Sequence, residues 1–493
     1  MAHRTTRTLL ALAAAAIAAG CSQLPLKDIS KEEHQQRVQS DRTRVQQDVP
    51  PLGTELSLDE AIARALKFNL DRRARQMEEA LALQQWDAAG YDALPKLVAA
   101  AGYNARDRDR ISRSTDSVTG APSLANPSIS QSREHTLVSL DMSWSLLDFG
   151  LAYYNQQQAG DRVLAAAERR RKATHLLVQD VRVAYWRAAS AQRLRGEVQQ
   201  AIALANEALV DARKAEDEKL RSPLDSLRYQ RQLTENMRLL ESIESELATA
   251  RFELAALMNA PVIQQLSYSS DPSVGSLELL STSAEAMEEQ ALAQNADLRE
   301  HAYQRRIAAT EARKVLVRQF PSLSINFGAR YDTDRYLVEK NWAEAGVQTS
   351  FNFFNLLALP AQQRAAEAGI ALADQRRLAA HVAVVTQVHV AREQLASSRK
   401  QLERANALWV LDEKIMQQML RREQAQAGSK LERVAAQTTM IISLLRRYQA
   451  LAQVHAATSR LQATLGVDPL PDSTDDQTLE QLRSHVSSRL LGS

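Results

Sequence analysis

The chain has 493 residues, and its 61 basic side chains nearly balance its 59 acidic ones, so no overall charge excess points to a nucleic-acid partner. Aromatic residues make up 5% of the chain, whereas Ala, Leu, Gln, Arg and Glu are abundant, which is typical of long helices and coiled coils. The sequence contains no Walker loop, no HExxH motif and no Cys/His cluster, so we predict neither an enzyme nor a metal site nor a bound cofactor.

The N-terminus has the layout of an export signal. Arg4 and Arg7 precede an apolar run that is too short to span a bilayer, and small residues follow it. The only cysteine of the chain, Cys21, comes directly after "AAG", which resembles the bacterial lipobox. We therefore predict a signal peptide at 1–20, covalent lipid on Cys21 and a lipidated linker at 21–55. An ordinary signal followed by a chance cysteine is the alternative.

After the linker the sequence repeats itself. Leu66 and Pro95 match Leu292 and Pro321 at a constant offset of 226 residues. Further along the chain the offset falls to 207, which places a 19-residue insertion within 107–134 of the first copy. The resulting divisions are a first repeat at 56–260, an inter-repeat linker at 261–282, a second repeat at 283–467 and a C-terminal tail at 468–493.

Each repeat begins with a helix and two strands. In the first copy Ser57 and Glu60 predict a capping box, and the helix runs to about Gly90. The segment "VSLDMSWSL" at 138–146 alternates apolar and polar residues with period two, and the second copy does the same. The residues that we predict to face lipid are Val138, Leu140, Met142, Trp144, Leu323, Ile325, Phe327, Phe351 and Phe353.

The same alternation occurs in half-buried strands of soluble sheets. Here the export signal, the isolation of the hairpins among long helices and the aromatic residues near strand ends favour a membrane barrel with lipid outside and water inside. Four strands cannot close a barrel, and open strand edges are not tolerated in lipid, so the chain must oligomerise. Three copies supply 12 strands, which leave room for a water-filled lumen.

A long helix follows each hairpin. The first spans about 152–221, roughly 70 residues or about 100 Å, and its counterpart begins with Pro360 at the first helical position and ends near 427. Shorter helices return at 223–258 and 429–465, the first with an a/d heptad seam. We therefore predict an antiparallel helix pair in each half. Around three chains such pairs form a helical tube that continues the strand barrel.

This layout and several local motifs resemble the outer-membrane factor family, the TolC-like efflux ducts. The motifs are "ALKFN" with "ALAQN", "SLLDFG" at 145–150 and "AGSKLERVAAQ" at 427–437, together with the lipobox. The resemblance implies a homotrimer with a 12-stranded barrel in the outer membrane and a periplasmic α-barrel. It further implies an exit duct of a tripartite efflux or secretion system, lipid-anchored and working with an inner-membrane pump and a periplasmic adaptor.

The resemblance also implies roles for the two helix turns, which match the periplasmic tips that meet the adaptor. The implied docking residues are Leu220, Ser222, Leu224, Gly428 and Leu431. Alternatively the turns are ordinary loops, with Leu224 and Leu431 as core residues of a first helical turn. Many relatives carry acids that ring a closed aperture past the second tip. Here the candidates are Asp225 and Glu432, and solvated surface charge is the alternative.

A second class of function is a lipid-anchored periplasmic coiled-coil scaffold or adaptor that does not span the membrane. It accounts equally well for the signal, for Cys21 and for the helices. It accounts poorly for paired amphipathic hairpins at equivalent places in both repeats. The sequence identifies neither the cargo nor the pump.

Overall fold

The structure is a computed structural model that describes residues 27–122, 127–218, 222–261, 267–269, 278–469 and 477–491. The predicted signal peptide, its neighbour Cys21 and the tip residue Leu220 lie outside these described residues. The chain divides into two compact units, residues 1–51 and residues 52–493. In the first unit, helix α1 (Lys31–Val45) begins after Ser30, whose hydroxyl accepts the backbone N–H of Glu33, and this helix has no buried residue.

Both repeats of the second unit contain two helices, two strands, a long helix and a returning helix in that order, as the predicted duplication requires, and the first repeat adds three two-residue strands. The first repeat consists of β1 (Glu55–Leu56), α2 (Leu58–Phe68), α3 (Leu70–Tyr91), β2 (Lys96–Ala105), β3 (Ile111–Ser112), β4 (Ser128–Ile129), β5 (Glu134–Ser145), α4 (Leu146–Asp217) and α5 (Pro223–Leu257). The linker contributes β6 (Ser267–Tyr268) and α6 (Glu278–Ser281). The remainder consists of α7 (Ala284–Gln294), α8 (Ala296–Val317), β7 (Ser322–Asp332), β8 (Asn341–Ser350), α9 (Phe354–Gln424), α10 (Lys430–Leu465) and α11 (Leu479–Val486), followed by a π-helical turn (Ser487–Leu491).

The first helix of each repeat is broken in two, where the sequence predicted one helix. The break falls at Asn69 and Asn295, which have extended backbones and cap the helix that follows. The Asn69 side chain accepts the backbone N–H of Arg72 at 2.9 Å, and that of Asn295 accepts the N–H of Leu298 at 3.2 Å. The side-chain oxygen thus satisfies a donor at the start of α3 and of α8 that the interrupted helix leaves unpaired.

One predicted cap and one predicted helix start are wrong. Helix α2 begins directly after Ser57 as predicted, but the capping box is absent, because Ser57 makes no side-chain cap bond and Glu60 accepts a bond from Nε of Arg64 at 2.8 Å. Helix α9 begins at Phe354, so Pro360 lies inside the helix and not at its first position. A proline in the second turn removes a single intrahelical donor, and the helix continues upstream of it.

The long helices have the predicted dimensions, with 72 residues in α4 and 71 in α9. The a/d seam predicted for α5 is confirmed, because the side chains along it are buried and α5 packs against α4. The buried seam residues are Leu240, Ile243, Leu247, Ala250 and Leu254, and the sixth predicted residue, Leu257, is half-buried against the core.

One antiparallel sheet joins the two hairpins in the order β2-β5-β7-β8. Strands β5 and β7 pair across the repeats, with Met142 opposite Phe327. Strands β2 and β8 form the edges, and within the described chain each pairs on one side only. The predicted insertion contains the small hairpin β3-β4, in which Ile111 pairs with Ile129.

The last strand is shorter at its end than the sequence pattern predicted. Strand β8 ends at Ser350, so the assignment of Phe351 and Phe353 to this strand is wrong. The side-chain oxygen of Asn352 accepts the backbone N–H of Phe354 at 3.1 Å, which turns the chain from strand into α9. The apolar–polar alternation of the sequence continues beyond Ser350, where this local bond has replaced strand pairing.

The helices repeat the lateral order of the sheet. Near the sheet the packing order is α3-α4-α8-α9, and beyond it the order is α5-α4-α10-α9. Helices α3 and α8 lead into β2 and β7, while β5 and β8 lead into α4 and α9. Strands and helices therefore form one continuous wall with an open edge on each side.

The largest core cluster combines residues of α2, α4, α5, α7, α9, α10 and α11. Tyr185 is buried there, and its hydroxyl donates to the carbonyl oxygens of Leu56 and Ser269, which ties β1 and β6 to α4. The C-terminal tail contains a packed helix that the sequence pattern did not predict. This helix, α11, places Leu482 and Val486 in the same cluster.

Candidate functional sites: a two-faced sheet and two helical tips

One face of the four-stranded sheet is apolar, and no described part of the chain covers it. Trp144 lies on it half-buried, with its ring 5.7 Å from that of Phe149 and its Nε1 donating to the carbonyl of Ala93. Leu140 is 46% exposed and Phe327 is 48% exposed. The other predicted lipid-facing residues that lie within strands are also exposed, namely Val138, Met142, Leu323 and Ile325. The structure brings these side chains together on one surface, and their contact with lipid stays a prediction.

On the two central strands the opposite face is mainly polar and better covered, whereas the edge strands β2 and β8 are exposed on both faces. Along β7, the polar residues Ser324 and Asn326 are half-buried between exposed apolar neighbours, and Gly328 is buried. On β5, Ser139 is 8% exposed. A soluble antiparallel sheet covers its apolar face and leaves its polar face to water. The central strands β5 and β7 do the reverse, which suits a wall with hydrocarbon on one side and polar contents on the other.

Two further properties bear on the class of site. No helix in the described part of the chain is both long enough and apolar enough to cross a bilayer. The described residues also contain no group of three or more His, Cys, Asp or Glu side chains placed to hold a metal ion.

The first tip joins α4 to α5, and residues 219–221 at its centre are not among those described. Ser222 is exposed and makes no side-chain cap bond, and α5 starts with a proline. Leu224 is 57% exposed, so it belongs to the surface and not to a first-turn core. Asp225 is exposed as well, and its carboxylate lies 4.0 Å from Arg228.

The second tip joins α9 to α10 by a turn in which Gln426, and not Gly428, has a left-handed backbone with φ of 59°. Gly428 allows the turn to pass close to Arg422, because a Cβ at this position would lie 3.2 Å from Cβ of Arg422. Ser429 and Glu432 form a full capping box at the start of α10, with bonds of 3.3 and 3.1 Å. The Glu432 carboxylate therefore stabilises a helix start, and its place at an aperture stays a prediction.

Leu431 differs from its first-repeat counterpart Leu224. It is half-buried and packs against a small cluster between α4, α5 and α10. The buried members of this cluster are Ala205, Ala208, Leu233 and Val434. The core interpretation thus applies to Leu431, whereas the surface interpretation applies to Leu224.

Lys430 links the two hairpins near their tips. Its ammonium lies 2.7 Å from Glu207 and 2.6 Å from Asp211, both on α4. The hydrogen bonds to these two carboxylates raise the pKa of Lys430 above its usual range, and the bond from Lys430 lowers the pKa of Asp211. The bridge is therefore charged on both sides throughout the neutral pH range.

Sequence reasoning missed two residues at the tips. Leu227 is 55% exposed and lies one helical turn after Leu224, a spacing that the sequence already contains. Lys430 carries no local signal, because its partners are more than 200 residues away in the chain.

Comparisons by sequence and by structure give different results. No protein-family model matches the chain, and no curated protein sequence matches it. Solved structures do match. The Campylobacter jejuni CmeC outer membrane channel has a TM-score of 0.64 at 12% identity, over 95% of this chain and 94% of that one.

Two other outer-membrane proteins match over somewhat shorter lengths of this chain. The outer membrane protein VceC from Vibrio cholerae has a TM-score of 0.59 at 14% identity, over 83% of this chain and 96% of that chain. The open state of the Neisseria gonorrhoeae MtrE outer membrane channel has a TM-score of 0.59 at 17% identity, over 84% and 91%. The chain thus has the fold of the TolC-like outer-membrane factors.

Proposed function

We propose that this protein is the outer-membrane exit duct of a tripartite efflux or secretion system. The observation that carries the proposal is a sheet with an uncovered apolar face and an open edge at each side. Hydrocarbon matches the apolar face, but unpaired edge groups in lipid cost several kcal/mol each, on the order of 4–8 for an amide. Three copies that pair β8 of one with β2 of the next remove every edge and give a 12-stranded barrel.

The helical part of the wall supports a homotrimer in the same way. On the edge helix α3, Met77 and Leu81 are exposed one turn apart, and on the opposite edge helix α9, Leu378 and Val382 are exposed one turn apart. Packing α3 of one copy against α9 of the next covers both pairs. This packing accompanies the strand pairing, because α3 leads into β2 and β8 leads into α9.

The proposed partners meet the molecule at its two ends. A periplasmic adaptor docks at the helical tips, through the surface residues Ser222 and Leu224 and the turn at Gly428, and connects the duct to an inner-membrane pump. The acids Asp225 and Glu432 are the candidates for an aperture ring. At the other end, lipid on Cys21 anchors the chain in the outer membrane, and the protein performs no reaction itself.

Fractionation followed by reconstitution tests the proposal. Full-length protein is expected in outer-membrane fractions as a detergent-requiring trimer, which forms pores in a planar bilayer. A Cys21→Ser variant, which lacks the acyl anchor, is expected to remain a membrane-inserted trimer. If this variant is instead a soluble monomer, the proposal of an exit duct is wrong and the protein is a lipid-anchored scaffold. Crosslinkers placed at Ser222 and Ser429 are expected to recover an adaptor.

A further inference from the structure

Three residues stand directly opposite one another in the middle of the polar face. Asp141 of β5 pairs with Gly328 of β7, and Gly328 pairs with Glu344 of β8. A Cβ on Gly328 would lie 2.8 Å from Oδ1 of Asp141 and 3.5 Å from Cγ of Glu344. The missing side chain therefore lets two carboxylates lean over the same strand from opposite sides.

One guanidinium lies close to both carboxylates and offsets one of their two charges. Arg330 lies two residues further along the same face of β7, and its Nε donates to Glu344 at 2.6 Å. Its Nη2 also lies 3.5 Å from Oδ1 of Asp141, whose other oxygen accepts the hydroxyl of Ser139 at 2.7 Å. These three charged residues leave one net negative charge per chain at this level of the sheet.

The remaining charges on this face of the four strands lie toward the ends of the sheet. Lys96 is the first residue of β2. Asp332 is the last residue of β7, and Nδ1 of His135 lies 2.8 Å from its carboxylate. The middle of the face therefore takes its electrostatic potential from Arg330 and its two carboxylates.

We propose that Arg330, Asp141 and Glu344 form a charge ring in the lumen that favours cationic over anionic solutes, and that Arg330 sets the strength of this preference. The inference rests on the proposed function, since three copies are needed to make the ring. Twelve strands spaced about 4.8 Å apart and tilted about 40° give a backbone radius of about 12 Å. The inward-pointing carboxylates thus lie within about one Debye length of the axis at 0.1 M salt, about 10 Å.

Cysteine reporters in the full-length protein in liposomes test the ring without requiring an open periplasmic end. Asn326→Cys places a thiol on the polar face, and Ala329→Cys places one on the apolar face, three residues along the same strand. The probes are a cationic and an anionic methanethiosulfonate reagent of similar size. The ratio of their reaction rates at Asn326→Cys reports the local potential, and the chain without a reporter gives the background.

Changing the ring is expected to change this ratio in opposite directions. Arg330→Gln raises the cationic-to-anionic ratio about three-fold at 0.1 M salt, and the pair Asp141→Asn with Glu344→Gln lowers it by a similar factor. Both shifts vanish at 1 M salt, where the Debye length is about 3 Å. Arg330→Lys keeps the charge and leaves the ratio unchanged.

Two different failures are distinguishable. If Asn326→Cys reacts, Ala329→Cys is protected and Arg330→Gln leaves the ratio unchanged at 0.1 M salt, the charge ring is wrong while the duct stands. If both thiols react equally fast, the apolar face is in water, and the proposed function is wrong together with the ring.

Discussion

The side-chain amide of Asn69 donates to the backbone carbonyl of Leu257 at 3.0 Å. Asn295 makes the same bond to Thr464, also at 3.0 Å. The donors are 226 residues apart and the acceptors 207, which are the two offsets of the internal repeat. Each asparagine therefore caps a helix with its oxygen and fixes the end of the returning helix with its nitrogen.

Removing either asparagine is expected to destabilise the junction. Asn69→Ala loses the cap of α3 and leaves a carbonyl at the end of α5 without this donor, which together cost about 1–3 kcal/mol. Asn69→Asp keeps the acceptor, but it loses the donor and turns a carboxylate oxygen toward the Leu257 carbonyl, so it is also expected to destabilise the protein. Chemical denaturation of the purified protein measures both. Equal stability of Asn69→Ala and the parent chain would contradict this account.

The sequence predicts these elements where their signal is periodic or repeated. The alternation around Leu140 locates a strand, and the a/d spacing around Leu247 locates a buried seam. The break at Asn69 was not predicted, because apolar periodicity continues across it and the bond to Leu257 joins residues far apart in sequence. The assignment of Phe351 to a strand is wrong for a related reason. The apolar–polar alternation of the sequence continues past the residue at which a local side-chain bond ends the strand.

The tip residues show a second limit of sequence reasoning. Leu224 and Leu431 occupy equivalent positions in the repeats, so the sequence treats them alike. The structure separates them because Leu431 faces the cluster around Leu233, whereas Leu224 faces outward. The surroundings of each leucine depend on which helices flank its tip, and the sequence pattern does not specify those neighbours.

Aspartate substitutions at the two equivalent leucines are expected to act differently. Leu431→Asp places a carboxylate against an apolar cluster, so it lowers the unfolding free energy by about 1–3 kcal/mol. Leu224→Asp leaves stability unchanged, because the side chain is already in water, and lowers the yield of adaptor crosslinked at Ser222. Thermal unfolding and crosslinking yield measured on the same two variants separate the roles. The reverse pattern would contradict the assignment.

A buried histidine predicts sensitivity to acid. His455 of α10 is stacked on Trp186, with ring centroids 5.4 Å apart, and burial together with repulsion from Arg182 lowers the pKa of His455 to about 3. The folded protein therefore keeps this ring neutral, while the unfolded chain protonates it near its usual pKa of about 6.5. Stability is expected to fall as the pH drops from about 6.5 toward 3, by up to about 1.4 kcal/mol per pH unit.

Two histidine variants identify the source of this acid sensitivity. His455→Gln removes the titrating group, so the difference in melting temperature between pH 7 and pH 4.5 becomes smaller than in the parent. His381 of α9 is exposed, and His381→Gln is the matched control, which is expected to leave the difference unchanged. An unchanged pH dependence in His455→Gln would show that other groups dominate.

Neighbouring residues on opposite faces of β7 test the orientation of the sheet. Phe327→Arg introduces a charge on the apolar face, which costs about 2–4 kcal/mol near the middle of a bilayer. Asn326→Arg introduces the same charge on the polar face and is expected to be tolerated. The yield of folded trimer extracted from outer membranes measures both effects. Equal yields for the two variants would place both faces in the same solvent.

The bridge at Lys430 is expected to hold the hairpins together locally without adding to global stability. The Lys430 side chain is 36% exposed and those of its partners Glu207 and Asp211 are 62% and 50% exposed, and ion pairs this accessible to water contribute little to the unfolding free energy. Lys430→Gln therefore leaves the melting temperature unchanged, but it removes the bond between α10 and α4 at the tip. Amide hydrogen exchange is expected to accelerate at the start of α10 and in the facing part of α4, because this region opens more often.

Lys430→Arg keeps the charge and restores slow exchange. In the parent chain, 1 M salt accelerates exchange at the same amides by screening the bridge. Slow exchange in Lys430→Gln at low salt would show that packing around Leu431 alone keeps the hairpins closed.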